Sequence, residues 1–457
     1  MKKLLALVLA AACAVSTTAC AAKSGEITLP EDEQASGQLA APPAETSAQY
    51  PDEMDFIKDG EVDYDAYGKA YDAWWQGRQE KTDSMLPVSD TAHWFQTSIP
   101  ALMQDAGEEN RVCSPLNLYM ALAMLAAVTD GESRGQILSA LGADSLEQVQ
   151  SRAAQLWQEN SWDDGMVTSL LANSIWLRDG YEYNEETLRK LGEDFFASAF
   201  SGEMGSDSLN QELQTWINEN TGDLLTEQAS GVQLRPETVL ALVSTIYYSA
   251  QWVDQFNEGS STQDTFHALS GDETATFMHS SDSGTVYYGE GFTATGLSLE
   301  NSGYMWLLKP DAGTRAAELL QSGDAVDFLL ANGDWAQSQR AEIDLSIPKF
   351  DVSSDLDLLD TLAKLGITDV QTGAADFTPL TTDTESMLEL TQAKHAARVK
   401  IDEDGCEAVA YTILAVDKTA AMPPEEVVEF RLDEPFVFAI TGIDGLPLFV
   451  GVVNEVG

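Results

Sequence analysis

The sequence predicts an α+β protein built around large β-sheets, and three observations carry that expectation. Thr238 to Trp252 contains Leu-Val-Ser-Thr-Ile-Tyr-Tyr, a continuous run of the kind buried on both faces of a sheet. Short alternating runs from Phe266 to Leu308 read as an antiparallel meander. The tail adds strand-like runs at Val427–Phe430, Phe436–Ile440 and Leu446–Val453, and Asp444-Gly445 between the last two is a hairpin turn signal. Helical patterns fall between these runs at irregular intervals, which argues against a regular parallel α/β fold. No internal repeat is evident.

The chain has 457 residues and 44% hydrophobic content with ten tryptophans, ample for a sizeable core. Its 75 acidic and 24 basic residues give a net charge of −51, spread along the whole sequence. That balance argues against nucleic-acid or anionic-membrane binding through charge, and suits a well-solvated surface in an exposed setting.

From the N-terminus, Lys2 and Lys3 precede an apolar run, Leu4 to Val15, too short to remain as a membrane span. It ends in Ser-Thr-Thr-Ala-Cys20, similar to a bacterial lipoprotein signal with cleavage before Cys20 and lipid on its sulfur. Thr17 stands where such signals usually have Leu, and a plain export signal is the alternative. The expected organisation is a signal peptide over 1–19, a disordered tether over 20–50, a helical extension over 51–81 and a main domain over 82–457. The tether is Ala, Glu, Gln, Ser, Pro and Gly with almost no aromatics. In the extension, Tyr64, Tyr67, Tyr71 and Trp74/Trp75 fall at helical steps, forming a stripe expected to pack on the main domain.

Ala92 to Met103 reads as a helix interrupted or kinked at Pro100. Ser114-Pro115 supplies an N-cap and a first-turn proline. The helix that follows, Leu116 to Val128, is apolar almost all round and therefore expected to be buried. Glu132 to Leu141 is another short helix closed by Gly142. Val167 to Leu177 reads as a strand and Leu209 to Asn220 as a helix. Ala341 to Phe350 reads as a strand and Leu356 to Leu365 as a helix. Outside the signal and Cys20, the cysteines are Cys113, in a hydrophobic context, and Cys406, in a stretch expected to move. No disulfide is expected between them.

That stretch, Glu403 to Pro424, reads two ways. Glu407 to Val416 has strand chemistry without Gly or Pro, yet the segment opens on Asp-Gly and closes on Met-Pro-Pro, as an exposed loop would. One alternating set is Cys406, Ala408, Ala410, Thr412, Leu414 and Val416, all small or apolar; the other carries Glu407 and Asp417. Period-2 sorting serves a half-buried strand and has no use in an ordinary loop. The segment reads as a loop able to become a strand.

Apparent catalytic motifs fail on context. Ser346-Ile-Pro-Lys349 has the Ser-x-x-Lys spacing, but that motif needs a helix and Pro348 sits in a strand-like run. Asp402-Glu-Asp404-Gly405 resembles half a calcium loop, with Tyr411 where the bidentate Glu belongs. The four histidines (93, 267, 279 and 395) are too dispersed for a local zinc motif. There is no Gly-x-Ser-x-Gly and no phosphate-binding glycine loop. No enzyme site, metal or cofactor is expected.

Several separated motifs, in order, resemble the serpins, the serine-protease inhibitors. They are Asn110-x-x-x-Ser114-Pro115, Thr215-Trp216-Ile217 with Asn220-Thr221, and Leu242 to Trp252 with Phe256 and Phe266. Ile347-Pro-Lys-Phe350, Leu365-Gly-Ile-Thr-Asp369, Ala375-Asp-Phe377, His395, Glu403 to Thr412, Pro435-Phe-Val-Phe and Leu448-Phe-Val-Gly451 complete the set. The likeness spans roughly residues 90 to 457, in the manner of bacterial secreted or lipoprotein members.

The resemblance implies a serpin fold with about eight to nine helices, large β-sheets and an exposed reactive-centre loop. It implies a metastable suicide substrate: a serine protease cleaves the loop, is held as an acyl-enzyme, and is trapped when the loop inserts as a sheet strand. Hinge residues would be Glu403, Gly405, Cys406, Glu407, Ala408, Ala410 and Thr412. Counting sixteen residues from Glu403 places the cleaved bond at Thr419–Ala420; a loop one shorter gives Lys418–Thr419, and anchoring on Pro423-Pro424 favours Ala420–Ala421. Small residues suit an elastase-like or subtilisin-like protease, and Lys418 a trypsin-like one. The region that must open would contain Ser114, Asn117, Ser244 and His395, with Trp252 beside it. Asn117 stands where the family usually has Ser, and Ser244 where it usually has Asn, which suggests a swapped pair in one network. The implied protein is an exported, cell-surface monomer anchored through Cys20, with a target protease as partner. The rival expectations are a non-inhibitory cell-surface binding module and, more remotely, a secreted enzyme.

Overall fold

The computed structural model describes residues 37–456, apart from 44–47, 59, 84, 86–89, 105, 223–224, 301, 382–387 and 407–425. Two large sheets dominate it. The main, eight-stranded sheet runs Gln38–Ala40, Ala197–Gly202, Thr168–Arg178, Leu240–Gln251, Gly405–Cys406, Leu390–Ile401, Phe350–Asp357, with Trp162–Asp163 beside Thr168–Arg178. The nine-stranded second sheet holds the predicted meander: Gly271–Gly289 pairs antiparallel with Thr262–Ala268 and with Phe292–Ser298, which in turn pairs with Tyr304–Pro310. The tail strands Phe436–Thr441 and Pro447–Val453 continue it as an antiparallel pair. Eleven helical segments are present among the described residues, eight of them long.

Helices are labelled α1 (Tyr64–Thr82), α2 (Ala92–Met103), α3 (Pro115–Ala127), α4 (Gly131–Ala140), α5 (Leu146–Asn160), α6 (Glu185–Phe195) and α7 (Asp207–Glu219). As its all-round apolarity predicts, α3 is buried, packed against both the main sheet and the tail hairpin. Ser114 caps it, the hydroxyl accepting from the Asn117 N–H at 3.1 Å, with Pro115 in the first turn. On the opposite face of the main sheet, α7 lays Leu213, Trp216 and Ile217 against Ala172, Trp176, Phe200 and Val243.

Three expectations are corrected. The predicted strand Ala341 to Phe350 is two strands in different sheets: Ser338–Pro348 pairs with Gly271–Gly289, and Phe350–Asp357 belongs to the main sheet. The Lys349 N–H makes the last bond to the first sheet, to the Thr276 carbonyl at 2.8 Å, and the chain changes sheets there. The helix predicted from Leu356 starts only at Leu359, because Leu356 and Asp357 are still paired with His395 and Lys394. The segment expected as a tether contains Gln38–Ala40, an outer strand antiparallel to Ala197–Gly202. Its bonds are made by backbone, which composition does not reveal. Gly192 on α6 permits the approach that follows, since a Cβ there would lie 2.3 Å from the Ala41 carbonyl oxygen.

The extension helix α1 docks as expected. Trp74 is buried and donates from Nε1 to Asp164 Oδ2 at 3.2 Å, while Arg78 forms a buried ion pair with the same carboxylate. The Arg78 guanidinium also lies over Trp162, 4.6 Å from the ring centre. Tyr64 and Trp75, from the same aromatic stripe, remain exposed.

Candidate functional site

The distinctive feature of the main sheet is a junction between two parallel neighbours. Leu240–Gln251 and Leu390–Ile401 pair directly from Leu240 with Leu390 up to Thr245 with Ala396. There the direct ladder stops. Farther along, the two-residue strand Gly405–Cys406 lies between them, antiparallel to both: Cys406 faces Ala250 on one side and Ile401 on the other. The sheet is zipped at one end and wedged apart at the other.

Local chemistry holds the wedge. Three successive carbonyls are gripped by the turn after Leu240–Gln251: Trp252 Nε1 donates to Asp402 O at 2.9 Å, Phe256 N to Glu403 O at 3.0 Å, and Trp252 N to Asp404 O at 3.0 Å. Trp252 is itself buried, edge-on to Phe256. Gly405 has no substitute here, because a Cβ would sit 2.3 Å from the Ala250 carbonyl oxygen. Cys406, expected in a moving stretch, is buried in the core, and burial pushes its thiol and that of Cys113 upward; both are free.

Glu403 is also buried, ion-paired with Lys349 and accepting from Ser261 Oγ at 2.7 Å. Burial works to raise its carboxyl, but these two partners outweigh it and hold the group below the usual carboxylate range. A depressed carboxylate stabilises the native state above its unfolded pKa and loses that contribution as pH falls through the native value. Lys349→Met should therefore lower the denaturation midpoint at pH 7 by the equivalent of about 1 kcal/mol, discounted for the part-exposed lysine, with the deficit shrinking in acid. An equal deficit at both pH values would contradict this.

Below the wedge, the structure brings Ser114, Asn117, Ser244 and His395 together. The Ser114 N–H donates to His395 Nε2 at 2.9 Å, which leaves the ring proton on Nδ1, facing Ser244 Oγ at 3.4 Å. Asn117 and Ser244, expected as a swapped pair, do not bond each other. Asn117 Nδ2 donates to the Thr245 carbonyl, and Asn117 Oδ1 accepts from Asn173 Nδ2 at 2.9 Å. Asn173, which the sequence reasoning missed, is the register partner of Ser244 on the adjacent strand. The available signal was an amide inside the apolar run Leu-Leu-Ala-Asn-Ser-Ile-Trp.

Complete burial pushes the His395 imidazole down to about 4. Between about pH 6.5 and 4 the unfolded chain takes up a proton that the native state refuses. Stability is thus full above pH 6.5 and falls by about 3 kcal/mol as pH drops to 4. His395→Gln should remove this component, so the difference between wild type and variant, measured by urea denaturation, narrows from pH 7.5 to 4.5. A constant difference would show that His395 does not titrate in this window.

The expected hinge residues Glu407, Ala408, Ala410 and Thr412, the bond candidates Lys418, Thr419, Ala420 and Ala421, and the lipidation candidate Cys20 lie outside the described residues. Among the described residues, no His, Cys, Asp and Glu side chains gather in a metal-binding group.

These elements make an α+β fold whose main sheet is parallel-paired at one end and wedged by a third strand at the other. The chain belongs to the serpin family: the family model described as "Serpin (serine protease inhibitor)" matches residues 97–456. Among curated relatives, mouse neuroserpin is 25% identical over 400 residues, covering 81% of this chain and 92% of that protein. Arabidopsis thaliana Serpin-ZX is 25% identical, covering 76% and 92%. The fold is similar to that of the thermophilic serpin tengpin in its native state, with TM-score 0.71, 24% identity and coverage of 81% and 94%. An Arabidopsis serpin in its native stressed conformation gives TM-score 0.71 at 23% identity, covering 81% and 99%. Serpins are protease inhibitors, not enzymes, and form complexes with target serine proteases.

Proposed function

We propose that this serpin inhibits a serine protease as a suicide substrate. The observation that carries the reading is the wedge: Gly405–Cys406 lies between two parallel strands and antiparallel to both. Continuing that strand would replace a parallel contact by two antiparallel ladders. About a dozen new ladder bonds at roughly 1 kcal/mol net each provide a drive on the order of ten kcal/mol. The native state is then held kinetically, by the network beneath the wedge, until the loop is cut.

In this scheme the protease serine attacks the carbonyl of Thr419, with Lys418 or Ala420 as the alternatives, and the amine of the next residue departs. The chain from Glu407 onward, still esterified to the protease, inserts with Ala408, Ala410 and Thr412 towards the core, following Cys406. Small uncharged side chains on that face support inhibition over a purely binding role, since a buried unpaired charge is costly. The small residues around the bond suit an elastase-like or subtilisin-like target. Cys20 would hold the exported monomer at the cell surface through lipid.

The test is incubation with elastase-like and trypsin-like proteases followed by denaturing gels. A complex that survives denaturation is expected, and mass spectrometry of the released C-terminal fragment identifies the bond. Clean loop cleavage with the protease still active would overturn the reading and favour the binding module.

A further inference from the structure

A cavity of about 400 Å³ opens over four neighbouring strands of the second sheet, Ser338–Pro348, Gly271–Gly289, Phe292–Ser298 and Tyr304–Pro310. The turn that follows Leu240–Gln251 closes one side, fixed there by the Val253 N–H, which donates to the Ser298 carbonyl at 3.0 Å. Gly296 and Trp306, which both line the cavity, are register partners. A Cβ on Gly296 would lie 2.7 Å from the Trp306 ring, and an interior glycine of this kind leaves the strand open to close approach.

The lining is aromatic and acidic. Tyr287 and Tyr304 both lie against Trp306, their ring centres 5.6 Å and 5.2 Å from it. Trp306 is buried and serves as backing, whereas Tyr304 is 38% exposed and Tyr287 half-buried, so these two rings are open to an occupant. Asp254, from the turn, and Asp282, from Gly271–Gly289, also line the cavity, and both are exposed. Among the described residues, no Lys, Arg or His lines it. Burial, with help from the nearby Tyr304 phenol, raises the Tyr287 phenol, which therefore stays neutral.

An anion would be repelled by this lining, and a neutral apolar molecule would strip water from two carboxylates without replacing it. A bare metal ion would find too few ligands, since no three His, Cys, Asp or Glu side chains gather among the described residues. A methylated ammonium group suits both features, because its diffuse positive charge is attracted to ring faces and to carboxylates alike. We propose that this cavity binds a compact organic cation, with a quaternary ammonium group against Tyr287 and Tyr304 and its charge balanced by Asp254 and Asp282. Binding there requires neither cleavage of the loop nor its insertion.

Choline and dimethylbutanol are matched probes of nearly the same shape, with a charged nitrogen in one and a carbon in the other. By calorimetry on the full chain at about 0.15 M salt, choline should bind one-to-one and about tenfold more tightly than dimethylbutanol. Tyr304→Leu and Asp282→Asn, both at exposed positions, should each weaken choline binding severalfold. Asp282→Asn should also flatten its salt dependence. Choline uptake that never saturates, as general attraction to an acidic chain would give, would overturn the site. So would equal affinity for the two probes. Saturable binding unchanged in both variants would overturn its placement. The probe comparison needs only the wild-type chain, so it decides even if a variant fails to fold.

Discussion

Thr412→Arg is expected to convert the protein from inhibitor to substrate. Cys406, which precedes Thr412 by an even number of residues, is buried between the two parallel strands, and in a β-strand even spacing keeps side chains on one face. Insertion would carry the substituted side chain into the same core. An unpaired guanidinium there costs several kcal/mol, enough to slow a step that must outpace hydrolysis of the acyl-enzyme. The loop is still cut, but the protease escapes. The number of inhibitor molecules consumed per protease inactivated should rise at least tenfold, on the scale of a barrier raised by about 1.4 kcal/mol or more. Glu407→Gln, on the other face, is the control and should leave the ratio near its original value. An unchanged ratio for Thr412→Arg would remove insertion as the mechanism.

Asn117→Ala should produce the largest loss of native stability. Its side chain satisfies the Thr245 carbonyl and the Asn173 amide, and all three residues are buried. Truncation orphans both partners at about 1–3 kcal/mol each, so a loss of about 4 kcal/mol is expected by chemical denaturation. Thr245 is also the last direct rung of the parallel ladder, so spontaneous loss of inhibitory activity on warming should accelerate. Asn173→Ala should cost far less in the Asn117→Ala background than alone, because the pair acts as one unit. A midpoint within about 0.5 kcal/mol of wild type would show that the network does not restrain the sheet.

The parts of this fold legible in the sequence are those whose side chains sort by environment. The all-round apolarity of α3, the β-branched run before Trp252 and the alternation of the meander each state their burial directly. The sheet edge was illegible, since Gln38–Ala40 joins by backbone bonds and carries no distinctive side chains. The turnover at Lys349 was hidden because strand chemistry is the same on both sides of it. In the site, the resemblance singled out Ser114, Asn117, Ser244, His395 and Trp252, and the fold gathers the first four. Which atoms pair could not be read, because partner choice depends on register: Asn173 meets Asn117 only because its strand lies beside Leu240–Gln251. Cys406 misled for a related reason, as its burial needs Leu240–Gln251, a strand far away in sequence, beside the adjoining Leu390–Ile401.

The outer strand Gln38–Ala40 bears on how this molecule behaves in a crowd. An open sheet edge is a template for another chain. Here one border ends in a strand of only three residues from the chain's own N-terminal segment, a short edge for another chain to pair with. The opposite border, Phe350–Asp357, carries Asp351, Asp355 and Asp357, partly balanced by Arg398 and Lys394 on the neighbouring strand. A neighbouring copy would meet a three-residue edge strand on one side and like charge on the other. Strand exchange at both flanks of the main sheet is thereby discouraged.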